Sequence, residues 1–105
     1  MQAERPRARR YPFVASVEVT DVQSEIHLQA MTADLSLFGC LVNTGNPLPE
    51  GTRVRLRIAH GSTNFEAFGK VAYAQPKLGM GVIFTSIEPN DQTVLENWLA
   101  KLRST

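Results

Sequence analysis

Four arginines, Arg5, Arg7, Arg9 and Arg10, fall within six positions near the start of the chain, with no lysine among them. A segment that needed only charge would use either residue. Arginine adds a planar fork that grips oxyanions or a guanine edge with two parallel bonds and stacks on rings. About two dozen positions on, the stretch TADLSLFGC threads Asp34, Ser36 and Gly39 between Leu35, Leu37 and Phe38. Alone, that polar triad reads as a turn, in which Asp and Ser satisfy local N–H groups and Gly supplies a positive φ. Beside the arginines it offers a carboxylate, a hydroxyl and bare backbone to face the guanidinium groups. The pair of stretches suits a ligand with phosphates, hydrogen-bonding ring edges and flat faces, a purine rather than an amino acid or a lipid.

Other chemistry is hard to assemble from this chain. There is no Gly-x-Ser-x-Gly elbow, no His-Glu-x-x-His and no phosphate-binding glycine loop ahead of a helix, so catalysis is not expected. A single cysteine, Cys40, sits among Gly39, Leu41 and Val42 and reads as a small core residue. It cannot form an internal disulfide, which fits a reducing cytoplasm. Cys40 with two distant histidines, His27 and His60, gives no zinc spacing, and no metal or other cofactor is expected. No apolar run is long enough to span a membrane, and the N-terminal stretch lacks the apolar core of a secretory signal. The net charge of +1 argues against a general nucleic-acid binder.

The elements that must position these residues follow from the pattern of apolar residues. With 105 residues, 43% of them hydrophobic, the chain has the size and composition of one domain with its own core. Period-two alternation predicts six strands. The first is FVASVEVT, with Phe13, Ala15, Val17 and Val19 inward. The second is IHLQAMTADLS, with Ile26, Leu28, Ala30 and Thr32 on one face. A short third begins after Gly39, and RVRLRIAH places Arg53, Arg55 and Arg57 outward. NFEAFGKVAYA follows with a slip around Gly69, and MGVIFTS is the sixth. Val94, Leu95, Trp98, Leu99 and Leu102 then recur at helical steps, preceded by Pro89 and Asp91 as start signals. The expectation is an all-β domain over 11–105, a six-stranded antiparallel barrel with a C-terminal helix at about 90–102. Residues 1–10 form a flexible arginine-rich leader ahead of it.

RPRARRYPF followed by DLSLFG resembles the two-part signature of PilZ domains, bacterial receptors for cyclic di-GMP: Arg-x-x-x-Arg, then Asp/Asn-x-Ser-x-x-Gly. PEGTRVRLRI and GMGVIF resemble the family's middle strand and the late strand before its closing helix. The resemblance runs over about residues 4–102 and implies the same six-stranded barrel with a terminal helix. Arg5 and Arg9 satisfy the first pattern as written, whereas alignment on RYPF makes Arg10 the second arginine and places Pro6 where the first would stand. The resemblance implies ligand binding by Arg5, Arg9, Arg10, Asp34, Ser36 and Gly39. The arginines would take phosphate or guanine, Asp34 the guanine N–H edge, Ser36 the ligand or the loop, and Gly39 would allow close approach. It also implies signalling to a downstream protein through ordering of the leader.

Two other readings stand beside this one. The first is a PilZ-like module that works through protein contacts without cyclic di-GMP, motivated by Pro6. The second is a small barrel that binds nucleic acid through Arg53, Arg55 and Arg57. That stripe shows no outward aromatic for base stacking, so DNA binding is not expected.

Overall fold

The computed structural model describes residues 8–104 of the chain. Seven strands precede one helix: β1 Tyr11–Pro12, β2 Ser16–Asp21, β3 His27–Leu35, β4 Gly39–Asn43, β5 Arg53–His60, β6 Thr63–Gln75, β7 Gly79–Ser86 and α1 Pro89–Arg103. The antiparallel order β3-β2-β5-β6-β7-β4 returns to β3 through a β3–β4 pairing, which closes a six-stranded barrel. β1 is a two-residue addition on β3, pairing Tyr11 with Leu35 and Pro12 with Asp34. The expected architecture is therefore observed, with the helix one residue longer at each end.

The inward faces supply the core. Val17, Val19, Leu35, Val42, Val54, Leu56, Ile58, Phe65, Val71 and Met80 are fully buried. The α1 face carrying Leu95, Trp98 and Leu99 packs onto this core. Trp98 stands against Phe13 and Phe65, with ring centroids 5.4 and 6.2 Å away, and His60 meets its edge at 5.8 Å. Pro89 opens the helix, and the Asp91 carboxylate accepts the Glu66 N–H of β6 at 2.9 Å, which fixes the helix start against the barrel.

Two departures from regular strand pairing matter for the site. The first strand does not run unbroken from Phe13, because the buried Thr32 hydroxyl donates to the Phe13 carbonyl at 2.6 Å and accepts the Ala15 N–H at 3.0 Å. A side chain thus takes the place of ladder bonds. Over 13–15 the Phe13 N–H still bonds to the Ala33 carbonyl and the Ala15 carbonyl to the Thr32 N–H, and Phe13 and Ala15 remain buried. The second departure lies in β3. Thr32 pairs with Val42 and Asp34 with Leu41, so Ala33 is an extra residue in a bulge. Strict alternation from Thr32 would turn Asp34 into the core. The bulge instead keeps Thr32 and Leu35 buried and swings Asp34 to the outer rim.

Gly69 behaves as expected. The β6–β7 register shifts between Phe68 and Gly69, and a side chain there would press on the Ile83 carbonyl oxygen.

Candidate functional site

Asp34 and Arg10 meet on the outer surface. The Arg10 Nη2 donates to Asp34 Oδ2 at 2.6 Å and its Nε to the same oxygen at 3.1 Å. The other carboxylate oxygen, Oδ1, accepts the Leu41 N–H at 3.0 Å, which ties the side chain to β4. Asp34 is mostly covered and Arg10 about half exposed, 19% and 52% by side chain. Arg10 Nη2 also reaches the Tyr73 hydroxyl at 3.4 Å. Hydrogen bonding to Tyr73, and next to Asp34, raises the Arg10 pKa above its ordinary value, so the group stays cationic. By distance the carboxylate is the firmer partner.

Tyr73 owes its position to a glycine. It pairs with Gly81 across β6 and β7, and a Cβ on Gly81 would collide with the Tyr73 ring. The ring therefore lies over bare backbone, with its hydroxyl directed at Arg10. Arg10, Ser36, Phe38, Tyr73, Gly81 and Ile83 line a cleft of about 130 Å³. That is small beside the roughly 300–1,000 Å³ of enclosed small-molecule sites. A dinucleotide would have to lie across this surface rather than sink into it.

The triad divides by role. Ser36 is buried, and its Oγ accepts the N–H groups of Phe38 and Gly39, each at 3.2 Å, and donates to the Gly39 carbonyl at 3.3 Å. It closes the turn and presents no free polar atom toward the cleft. Gly39 pairs with Ile83, and a side chain there would strike the Val82 carbonyl oxygen. The close approach that demands this glycine is between β4 and β7. Phe38, by contrast, stands exposed at the tip of the turn.

The arginines also separate. Arg10 reaches Asp34, whereas the Arg9 guanidinium stacks over the Tyr11 ring at 5.5 Å and faces the other way. Arg5 and Arg7 lie outside the described residues. The outward stripe on β5 is partly neutralised, since Arg57 Nε pairs with Glu66 at 3.2 Å. It does have an aromatic neighbour: Phe68 faces outward opposite Arg55 and is 48% exposed, contrary to the expectation of none. One ring is a poor platform for successive bases.

Cys40 lies in the floor of the cleft, almost wholly buried, and burial pushes its thiol up to about 12, with the Asp34 charge adding to the shift and Arg10 opposing it. Among the described residues no group of His, Cys, Asp and Glu could hold a metal ion. No described helix is long and apolar enough to cross a membrane.

Sequence reasoning did not single out Tyr73 or Gly81. The signal was an aromatic and a glycine on facing outward positions of neighbouring strands, readable only once the β6–β7 register is known.

Residues 4–101 match the PilZ domain family. No curated protein matches the chain. Among solved structures, the PilZ domain of YcgR from Escherichia coli, described with c-di-GMP, superposes with a TM-score of 0.74 at 19% identity, covering 96% of this chain and 93% of that one. The PilZ domain of CeSA from a cellulose-synthesizing bacterium gives 0.71 at 21% identity, over 90% and 98% of the two chains. The Bacillus subtilis inhibitor of motility MotI/DgrA gives 0.72 at 19% identity over 96% of this chain and 52% of that one, so this chain spans about half of MotI. At such identities the likeness speaks for the barrel and its helix, while the family match speaks for nearly the whole sequence: the chain belongs to the PilZ domain family.

Proposed function

We propose that this protein is a cyclic di-GMP receptor without catalytic activity, binding its ligand across the outer face where Arg10 meets Asp34. The observation that carries the reading is that contact. Folding brings a residue of the arginine leader and the carboxylate of the second motif, 24 positions apart, to 2.6 Å. The neighbouring PilZ domain of YcgR, described with c-di-GMP, supports the choice of ligand.

The exchange is energetically reasonable. An ion pair this open to solvent contributes about 0.2–1 kcal/mol, whereas one bidentate guanine contact contributes about 1–3 kcal/mol. Arg10 would leave Asp34 for a phosphate or the guanine O6/N7 edge. The freed Asp34 Oδ2 would accept from guanine N1–H and N2–H while Oδ1 stays on the Leu41 N–H. Arg9 would join by rotation of the leader, with Arg5 further along it. Ser36 and Gly39 would act by holding the turn that sets Asp34 and Phe38. Closing the leader over the ligand is the signal, passed to a downstream protein.

A ligand-independent interaction module is the second reading, favoured by the fact that Arg10 and Asp34 already satisfy one another. Calorimetry separates the two. Cyclic di-GMP should bind in the micromolar range with GTP giving no comparable heat, and silence at tens of micromolar ligand would reject the receptor reading.

A further inference from the structure

A separate groove lies where the hairpin tip between β5 and β6 stands against the last turns of α1. Its volume is about 390 Å³, within the range of small-molecule sites, and it shares no lining residue with the cleft beside Tyr73. β5 ends at His60 and β6 begins at Thr63, so Gly61 and Ser62 form a two-residue turn that opens on Gly61 at a φ of 63°. Trp98, Lys101 and Leu102 face this turn from one side of the helix, at three- and four-residue spacing. An aromatic contact holds the tip in place. The His60 ring packs on Phe13 with centroids 4.8 Å apart and meets Trp98 edge-on at 5.8 Å.

We propose that this groove binds an apolar carboxylic acid, with Lys101, Ser62 and Thr63 at the carboxylate and Leu102 beside the apolar end. Four polar side chains line it, His60, Ser62, Thr63 and Lys101, and among the described residues none of them makes a hydrogen bond or ion pair with the protein. No described Asp or Glu lines the groove, so the ammonium meets no competing acid there. Charge decides the class of anion. Lys101 brings one positive charge on compact donors, which matches a monoanion, whereas a phosphate dianion calls for a second cation or an arginine fork. The two hydroxyls can donate to the second carboxylate oxygen. Lys101 and Arg103 in the last turn offset the negative end of the helix, which would otherwise repel an anion. The apolar walls decide the size. Phe13 and Trp98 are each 6% exposed, since their faces lie against the core, one another and His60, and only a margin of each ring borders the groove. A flat base finds no platform here, while a branched aliphatic group can lie along those margins and the half-buried Leu102. That combination of groups occurs in a free short-chain acid and at the C-terminal residue of a protein chain. The proposal stands apart from the reading of Arg10 and Asp34.

The test is an amide-resolved NMR titration of the full chain with 4-methylpentanoate, N-acetyl-leucine, the neutral N-acetyl-leucinamide and inorganic phosphate. The better of the two acids should move Gly61, Ser62 and Lys101 and the Trp98 indole N–H while leaving Leu41, beside Asp34, still. The neutral amide and phosphate should bind more weakly than that acid by about tenfold or more. Lys101→Gln should weaken the acid by about tenfold or more, and Ser62→Ala by less. Because Lys101 is exposed in the last helical turn, the barrel's own amides serve as a check that the variant is folded. Tighter binding by N-acetyl-leucine identifies a chain terminus as the occupant, and binding by 4-methylpentanoate at least as tight identifies a free acid. Absence of groove shifts with either acid at about 10 mM overturns the proposal. So does equal binding by the neutral amide or by phosphate, or an affinity unchanged in Lys101→Gln.

Discussion

The ring of Tyr73 rests on the bare backbone of Gly81, and its hydroxyl meets Arg10. A methyl group at position 81 would have to displace that ring, so the site's geometry depends on the side chain that this glycine lacks. Gly81→Ala is expected to cost about 1–3 kcal/mol, read as a lower thermal midpoint. In a Tyr73→Ala background the same change should be nearly neutral. A full penalty in both backgrounds would show that the ring is not what Gly81 accommodates.

Gly39→Ala should be more damaging than Gly81→Ala. The obstacle at Gly39 is the Val82 carbonyl oxygen, a backbone group inside a paired ladder, rather than a side chain that can rotate. The expected loss lies at or above the upper end of about 1–3 kcal/mol, measured by chemical denaturation without ligand. A glycine needed only for ligand approach would leave stability unchanged.

Arg10→Ala and Asp34→Ala should each lower cyclic di-GMP affinity by about tenfold to a hundredfold, as expected for loss of a guanine or phosphate contact. Arg10→Ala should change folding stability by no more than about 1 kcal/mol, because the guanidinium end of the pair is about half exposed. Asp34→Ala also strands the Leu41 N–H and should cost somewhat more. Calorimetry paired with thermal melting checks both, and unchanged affinity in either variant would count against the site.

Cys40 gives a pH prediction. Its folded thiol titrates at about 12 against an ordinary 9.0, so the unfolded chain loses its proton first as pH rises. The stability contributed by the buried neutral thiol is fully present below about pH 9 and declines between there and about 12. At neutral pH the native protein should react with a thiol reagent only as fast as it opens, and Cys40→Ser should respond less steeply to alkaline pH. Rapid labelling of the folded protein at pH 7 would contradict the burial.

Much of this architecture was legible in the sequence because alternation and helical spacing report which side of an element is apolar. Val54, Leu56 and Ile58 against Arg53, Arg55 and Arg57 form such a case, and all three apolar residues are fully buried. Alternation fails at Asp34, because one extra residue at Ala33 reverses the face of everything after it. Nothing local in MTADLS marks the slip. It becomes visible only through the partners of Thr32, which lie in the 13–15 segment. The same limit explains the different positions of Arg9 and Arg10. Neighbours on an extended segment point to opposite sides, but which side holds the carboxylate depends on where β1 docks on β3. Tyr73 and Gly81 needed the register of two strands, whereas Phe68 is outward by plain alternation with the buried Phe65, Ala67 and Gly69.

The return of β4 to β3 closes the sheet on itself, so most strand residues among those described have a paired neighbour. Closure of this kind removes most of the edge on which a partner could add a strand or copies could stack. What such a surface presents instead is side chains, among them the exposed Phe38 at the turn tip.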